Sequence, residues 1–159
     1  MDLNNILSSI KDALALTYRD IEEIYKLENF EISPKRIKEI FSPKGTKKYK
    51  KATYEELGVF LDGLITKRRG KKEEQDSKAE EIILDNNLIL KKLKIALNLD
   101  EYELSMIFEL GDKKLSKSAI KDILRNPSNP KFRELSDKEL NAFLKGLVEF
   151  YYEVPKSFI

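Results

Sequence analysis

Apolar residues recur along the chain at the spacing of amphipathic helices. Ile6, Leu7, Ile10, Ala13 and Leu14 fall at i, i+1, i+4, i+7 and i+8, so residues 4–16 predict a helix with one buried stripe. Ile21, Ile24, Tyr25 and Leu27 form a second stripe over 18–28. Ser33-Pro34 is a helix start, with Ser as cap and Pro at the first position, leading into Ile37, Ile40 and Phe41. Thr53-x-x-Glu56 is a capping box that opens a fourth helix. Asn4 or Asn5 is the natural cap of the first. Period-2 runs of strand length are missing, which predicts an all-α protein.

The pattern then repeats. Shifted by 83 residues, positions 4–66 lie on 87–149 without a gap, with about 20 identities among 63 positions. Asn4, Ile6 and Leu7 fall on Asn87, Ile89 and Leu90, and Ile24 and Leu27 fall on Ile107 and Leu110. Ser33, Ile37 and Ile40 fall on Ser116, Ile120 and Ile123, and Ser136-x-x-Glu139 reproduces the capping box. An ungapped register that also aligns the loops is the mark of internal duplication. The expectation is two tandem four-helix repeats packed as one compact helical protein: repeat 1 over 1–70, a polar linker over 71–82, repeat 2 over 83–150 and a C-terminal tail over 151–159. In the copy, Asn86 or Asn87 takes the capping role. Gly63 and Gly146 sit at equivalent places inside the fourth helices, where Gly costs about 1 kcal/mol against Ala. Their recurrence points to close approach of another helix backbone.

The tandem Asn-Asn…Ile-Leu…Ala-Leu starts, the Phe-Leu-x-Gly-Leu near each repeat's end (Phe60 to Leu64, Phe143 to Leu147) and the segment Asn86 to Leu97 resemble the YehS-like family. That bacterial family carries a duplicated domain of unknown function. The resemblance spans nearly the whole chain and departs mainly in the linker and in Tyr151 to Ile159. It implies an all-helical duplicated fold and carries no catalytic residues across.

Composition narrows the chemistry. The 159 residues include no Cys, His or Trp. Without Cys or His there is no zinc finger, disulfide framework, Ser-His-Asp triad or Cys-His pair. Gly45-Thr46-Lys47 lacks the spacing and preceding strand of a phosphate-binding loop. The pairs Glu22-Glu23, Glu55-Glu56 and Glu80-Glu81 point about 100° apart on a helix and read as solvated faces. No catalytic residue, metal or cofactor is assigned, and an enzyme is not expected. No apolar run approaches the ~18 residues of a membrane span. Asp2 stands where a secretory signal would be basic. A cytosolic protein without membrane contact is expected.

The net charge of +2 hides a strong asymmetry. Residues 1–34 carry 3 basic and 7 acidic side chains, whereas 35–72 carry 13 and 4. The basic block has two parts: the loop Ser42 to Lys51, with Lys44, Lys47, Lys48, Lys50 and Lys51 around Tyr49, and the helix end with Lys67, Arg68 and Arg69. Lysines neutralise phosphates and an interleaved Tyr stacks on unpaired bases, so convergence of the two parts would make one nucleic-acid patch. Against this, the equivalent loop Arg125 to Arg133 is much less basic, and Tyr49 aligns with Phe132 in what looks like a core position. A helix-turn-helix fits poorly, because the segment joining the second and third helices exceeds the 3–4 residues of that motif's turn. The C-terminal aromatics Phe150, Tyr151, Tyr152 and Phe158 either finish the last helix and fold back, or mark an interface with a partner protein or a second copy. The leading expectation is a non-enzymatic binding protein that recognises a protein partner in a regulatory or adaptor role. The alternative is an electrostatic nucleic-acid binder, transcription-regulator-like, built on the basic block. Self-association carries no signal in the sequence.

Overall fold

Helix boundaries follow capping chemistry. In the computed structural model, which describes residues 1–70 and 84–153, the described residues form eight helices and no strand. Repeat 1 supplies α1 (Leu3–Leu14), α2 (Tyr18–Leu27), α3 (Pro34–Phe41) and α4 (Tyr54–Arg69). Repeat 2 supplies α5 (Asn86–Leu97), α6 (Glu101–Leu110), α7 (Lys117–Ile123) and α8 (Asp137–Glu153). Capping boxes open α2 (Thr17 with Asp20), α4 (Thr53 with Glu56) and α6 (Asp100 with Glu103), and the same reciprocal bonds join Ser136 to Glu139 at the start of α8. Ser33 caps α3 with Pro34 behind it. The segment expected as a linker, 71–82, lies outside the described residues, and α8 runs on through residue 153, into the stretch expected as tail.

The first helices differ from expectation in one instructive way. Their caps are Asp2 and Asp85, not the asparagines. Asn4 and Asn87 lie two residues further in, within the first turn, and are buried, at 6% and 5% exposure. Asn4 Nδ2 donates to the carbonyls of Ile40 (3.0 Å) and Lys50 (2.9 Å), and its Oδ1 accepts from Ala52 N–H at 3.0 Å. Asn87 makes the same three bonds 83 residues on, to Ile123, Arg133 and Leu135, each at 2.9 Å. A buried carboxamide is tolerated only when its donors and acceptor are satisfied. Here it is satisfied by the end of the third helix and the loop that follows.

The repeats interlock reciprocally. The first helix of each lies along the last helix of the other, α1 on α8 and α5 on α4. Both pairs run in parallel: Met1 and Asn5 meet Asp137 and Asn141, and Lys92 and Ile95 meet Asp62 and Arg69. Within repeats, α2 packs on α3 and α4, and α6 packs on α7 and α8. Aromatic pairs recur at the offset, Tyr25–Phe60 with centroids 5.8 Å apart and Phe108–Phe143 at 5.1 Å. One core runs through both repeats, from Leu7 and Ile10 to Phe143 and Leu147. No described helix is long and apolar enough to cross a membrane.

Glycine sets the approach of the inner helices. A Cβ added at Gly63 would fall on the carbonyl oxygen of Ile24 in α2, and one at Gly146 on the carbonyl oxygen of Ile107 in α6. Both obstacles are backbone, so neither can swing aside. Gly146→Ala should therefore lose about 1–3 kcal/mol or more of stability despite the better helix propensity of Ala. Gly58→Ala, whose Cβ meets only Leu84 Cδ2 at 3.9 Å, should gain up to about 1 kcal/mol. Urea unfolding of the two variants checks the opposite signs. Asn4→Ala and Asn87→Ala should each cost about 2–4 kcal/mol, because each strands two carbonyls and an N–H, and hydrogen exchange at Ala52 and Leu135 N–H should accelerate accordingly.

Candidate nucleic-acid interface

The lysine loop, residues 42–53, is a built structure. Thr46 N–H bonds to the Pro43 carbonyl at 3.2 Å and Tyr49 N–H to the Thr46 carbonyl at 3.2 Å, two successive turns. Gly45, at φ +93°, takes the left-handed position of the first turn. Lys50 N–H donates to the Glu39 carbonyl at 3.0 Å, and its own carbonyl is held by Asn4. Arg36 reaches from α3 to the Lys51 carbonyl at 3.0 Å. With the backbone tied inward, the side chains of Lys44, Lys47, Lys48, Lys50 and Lys51 are all exposed. Among the described residues none of these five forms an ion pair (the recorded pairs involve other cations).

The loop also occupies a particular end of the molecule. Asn4, in the first turn of α1, bonds the residues just before α4, and Asn86, at the start of α5, bonds the Leu135 carbonyl and Asp137 at the start of α8. Met1 adds a contact to Asp137. The N-termini of α1, α4, α5 and α8 therefore gather at one pole, where helix macrodipoles present their positive ends. The caps Asp2, Thr53, Glu56 and Asp85 answer those ends locally.

The other half of the basic block lies elsewhere. Lys67, Arg68 and Arg69 close α4, some 14 residues or about 21 Å along the helix from its lysine-loop end. That exceeds the ~8–10 Å screening length, so the two clusters do not form one patch. Each of the three is also engaged within the fold. Lys67 pairs with Glu23 at 3.3 Å, and Arg69 donates to the Ile95 carbonyl at 3.4 Å. Arg68 lies near Tyr151, whose hydroxyl is pushed up to about 12 by burial and by Glu103, against the opposing charge of Arg68.

The aromatic candidates sort by burial. Tyr49 is half-buried like its counterpart Phe132. Tyr54, which the sequence did not single out, is 54% exposed at the first position of α4, three residues after Lys51. Tyr151, expected as an interface candidate, is 1% exposed and belongs to the core of its own chain. Phe150 is half-buried against that core, Tyr152 is 83% exposed, and Phe158 lies outside the described residues. In the helix-turn-helix comparison, six residues separate α2 from the eight-residue α3; Lys35 and Lys38 are exposed, but Glu39 turns back to pair with Arg36.

Behind the loop, Arg36 holds Glu56 by two bonds of 2.7 and 2.9 Å. In repeat 2 the equivalent Glu139 is held by Arg133, from a different position, at 2.8 Å. Burial pushes each carboxyl up, yet the hydrogen bonds from the Thr53 or Ser136 N–H and from the arginine outweigh it and leave both below the ordinary range. A surface cleft of about 780 Å³ between the end of α2 and the start of α3 mixes Glu22, Glu31 and Lys26 with Phe30 and Ile32, and gathers no single kind of chemistry. Among the described residues no cluster of three or more acidic side chains could hold a metal ion.

Comparison with known proteins gives consistent findings. The model of a family described as "Protein of unknown function (DUF1456)" matches twice, over residues 4–70 and 86–151. The "Uncharacterized protein YehS" of Escherichia coli (strain K12) is 31% identical over 144 residues, 91% of this chain and 92% of that protein. No solved structure matches.

The lowered carboxyls generate a pH prediction. Their stabilisation is present above the unfolded-state value, about 4.3, and is lost as pH falls through the lower folded-state value. The urea midpoint should therefore drop on acidification below about pH 4.3, and Glu56→Gln/Glu139→Gln should flatten that limb while lowering stability at pH 7. An acid limb unchanged by the double substitution would show that these pairs do not drive it.

Proposed function

The chain belongs to the DUF1456 family, and from that footing we propose that it acts by binding, holding the phosphate backbone of a nucleic acid on the lysine loop of repeat 1. One observation carries this: five exposed lysines, without ion-pair partners among the described residues, on a loop whose backbone is tied down by Asn4, Glu39 and Arg36. A tied backbone presents its cations together and limits the ordering cost of contact to the lysine side chains. Phosphate neutralisation then releases counterions, which supplies the affinity. The proposal takes the protein to be cytosolic and non-catalytic. Repeat 2 serves as scaffold, since its equivalent loop has Pro127, Pro130 and Glu134 in place of Lys44, Lys47 and Lys51 and, of the five positions, keeps only Lys131 and Arg133 basic.

A second reading, an adaptor for a protein partner, is favoured by a different feature. Tyr152 and Tyr102 are 83% and 63% exposed, at the end of α8 and the start of α6, at the opposite pole from the lysine loop. The two readings use different surfaces, so variants separate them.

Equilibrium binding of the full chain to fluorescent single-stranded and duplex oligonucleotides tests the proposal. Five phosphate contacts predict an affinity loss of about 100-fold for single strands between 50 and 200 mM salt. Replacing Lys47, Lys48, Lys50 and Lys51 by Gln should weaken binding at low salt about 10-fold or more without lowering the melting temperature. Lys67→Gln should leave affinity unchanged. Absence of binding by the unmodified protein at 50 mM salt would falsify the proposal.

A further inference from the structure

We propose that the nucleic acid held by the lysine loop is single-stranded, and that Tyr54 is the platform on which one of its bases stacks. The inference rests on the lysine-loop proposal and goes beyond it by assigning a base-binding residue. Tyr54 opens α4, and the capping box fixes the backbone of this helix start and so the place from which the ring projects. Thr53 and Glu56 exchange backbone and side-chain bonds of 2.9 and 3.1 Å, and Arg36 locks Glu56 from behind. More than half of the tyrosine surface remains open, and no hydrogen bond, ring contact or cation contact to another described residue is recorded for it.

Its position relative to the lysines supplies the second half. Lys50 and Lys51 lie three and two residues before the cap Thr53, so a strand whose phosphates rest on the loop brings its next base to the ring. Glu55 is exposed on the following helical position and repels phosphate on that side, which confines the backbone to the loop. Stacked duplex bases offer no free face to a side chain outside the helix, whereas unpaired bases do. The same position in repeat 2 is Asp137, which accepts from Asn86 at 2.8 Å and meets the Met1 amine. Only repeat 1 therefore has the platform, and the duplicated chain binds one strand rather than two.

Titration of the full chain with a short fluorescein-labelled oligothymidine and with a duplex of equal length tests this. Tyr54→Ala should reduce affinity for the single strand by about 5- to 150-fold and leave duplex affinity within about twofold, while Tyr54→Phe retains binding. Because the chain has no Trp, Tyr54→Trp creates a single tryptophan that can be excited selectively over the remaining tyrosines, and its emission should be quenched on adding oligothymidine and saturate at one strand per chain. Tyr54→Ala acting equally on both ligands, or on neither, would overturn the stacking role while leaving the lysine-loop proposal in place. Loss of all binding in the unmodified protein at low salt would remove both. Unchanged melting temperatures of the variants exclude misfolding as the cause.

Discussion

A carboxamide buried in the first turn of a helix must find partners for its N–H groups and its oxygen, or the helix does not bury that face. Asn4 and Asn87 solve this with the same three backbone groups in each repeat: the last carbonyl region of the third helix and both sides of the loop before the fourth. Each asparagine thereby ties its own helix to groups 36 to 48 residues further along the chain. Much else follows from this bond set. It places the start of the last helix beside the start of the first, and it removes the freedom a 12-residue loop would otherwise have. The lysines of repeat 1 are displayed because the loop's backbone is spoken for.

The second constraint is mutual. Within one repeat, the first and last helices touch only slightly; each finds its main apolar partner in the other repeat. A unit of this size has a small core on its own, and the exchange of terminal helices gives the pair a shared one. The parallel direction of both exchanged pairs brings four N-termini to one pole. Acidic caps and capping boxes answer the resulting partial charges, while the lysine loop stands at their edge. Glycine completes the packing: Gly63 and Gly146 let the second and fourth helices meet backbone to backbone.

The repeats also differ in ways the shared scaffold does not require. Glu56 and Glu139 keep the same buried role but take their arginine from different positions, which shows that the carboxylate is constrained and the donor is not. Tyr25 and Phe108 fill one site with and without a hydroxyl, and the hydroxyl of Tyr25 donates to the Glu56 carbonyl at 3.0 Å. The loop lysines have no such structural duty. Five of them cluster in repeat 1 against two basic residues, Lys131 and Arg133, at the same positions of repeat 2, and Tyr54 stands where repeat 2 has Asp137; this is the asymmetry that a symmetric scaffold leaves unexplained.

What the sequence determined by itself was everything carried by neighbours within a helical turn or two. Periodicity marked the apolar stripes, Ser33-Pro34 and Thr53-x-x-Glu56 marked helix starts, and the 83-residue offset marked the duplication, glycines included. These interactions join residues three to eight apart, so composition and spacing suffice to read them. Partnership across the fold was not legible. An asparagine before an apolar run suits a cap as well as a buried bridge, and only the position of the loop decided for the bridge. The fifteen residues between the two basic clusters read equally as adjacency or separation until α4 proved to be one continuous helix between them. Tyr49, Tyr54 and Tyr151 are the same residue type in similar local settings, yet one is half-covered, one open and one buried. Their fates depend on which distant helix passes overhead, and that is settled by tertiary packing, where free energy is shared among residues the local pattern never brings together.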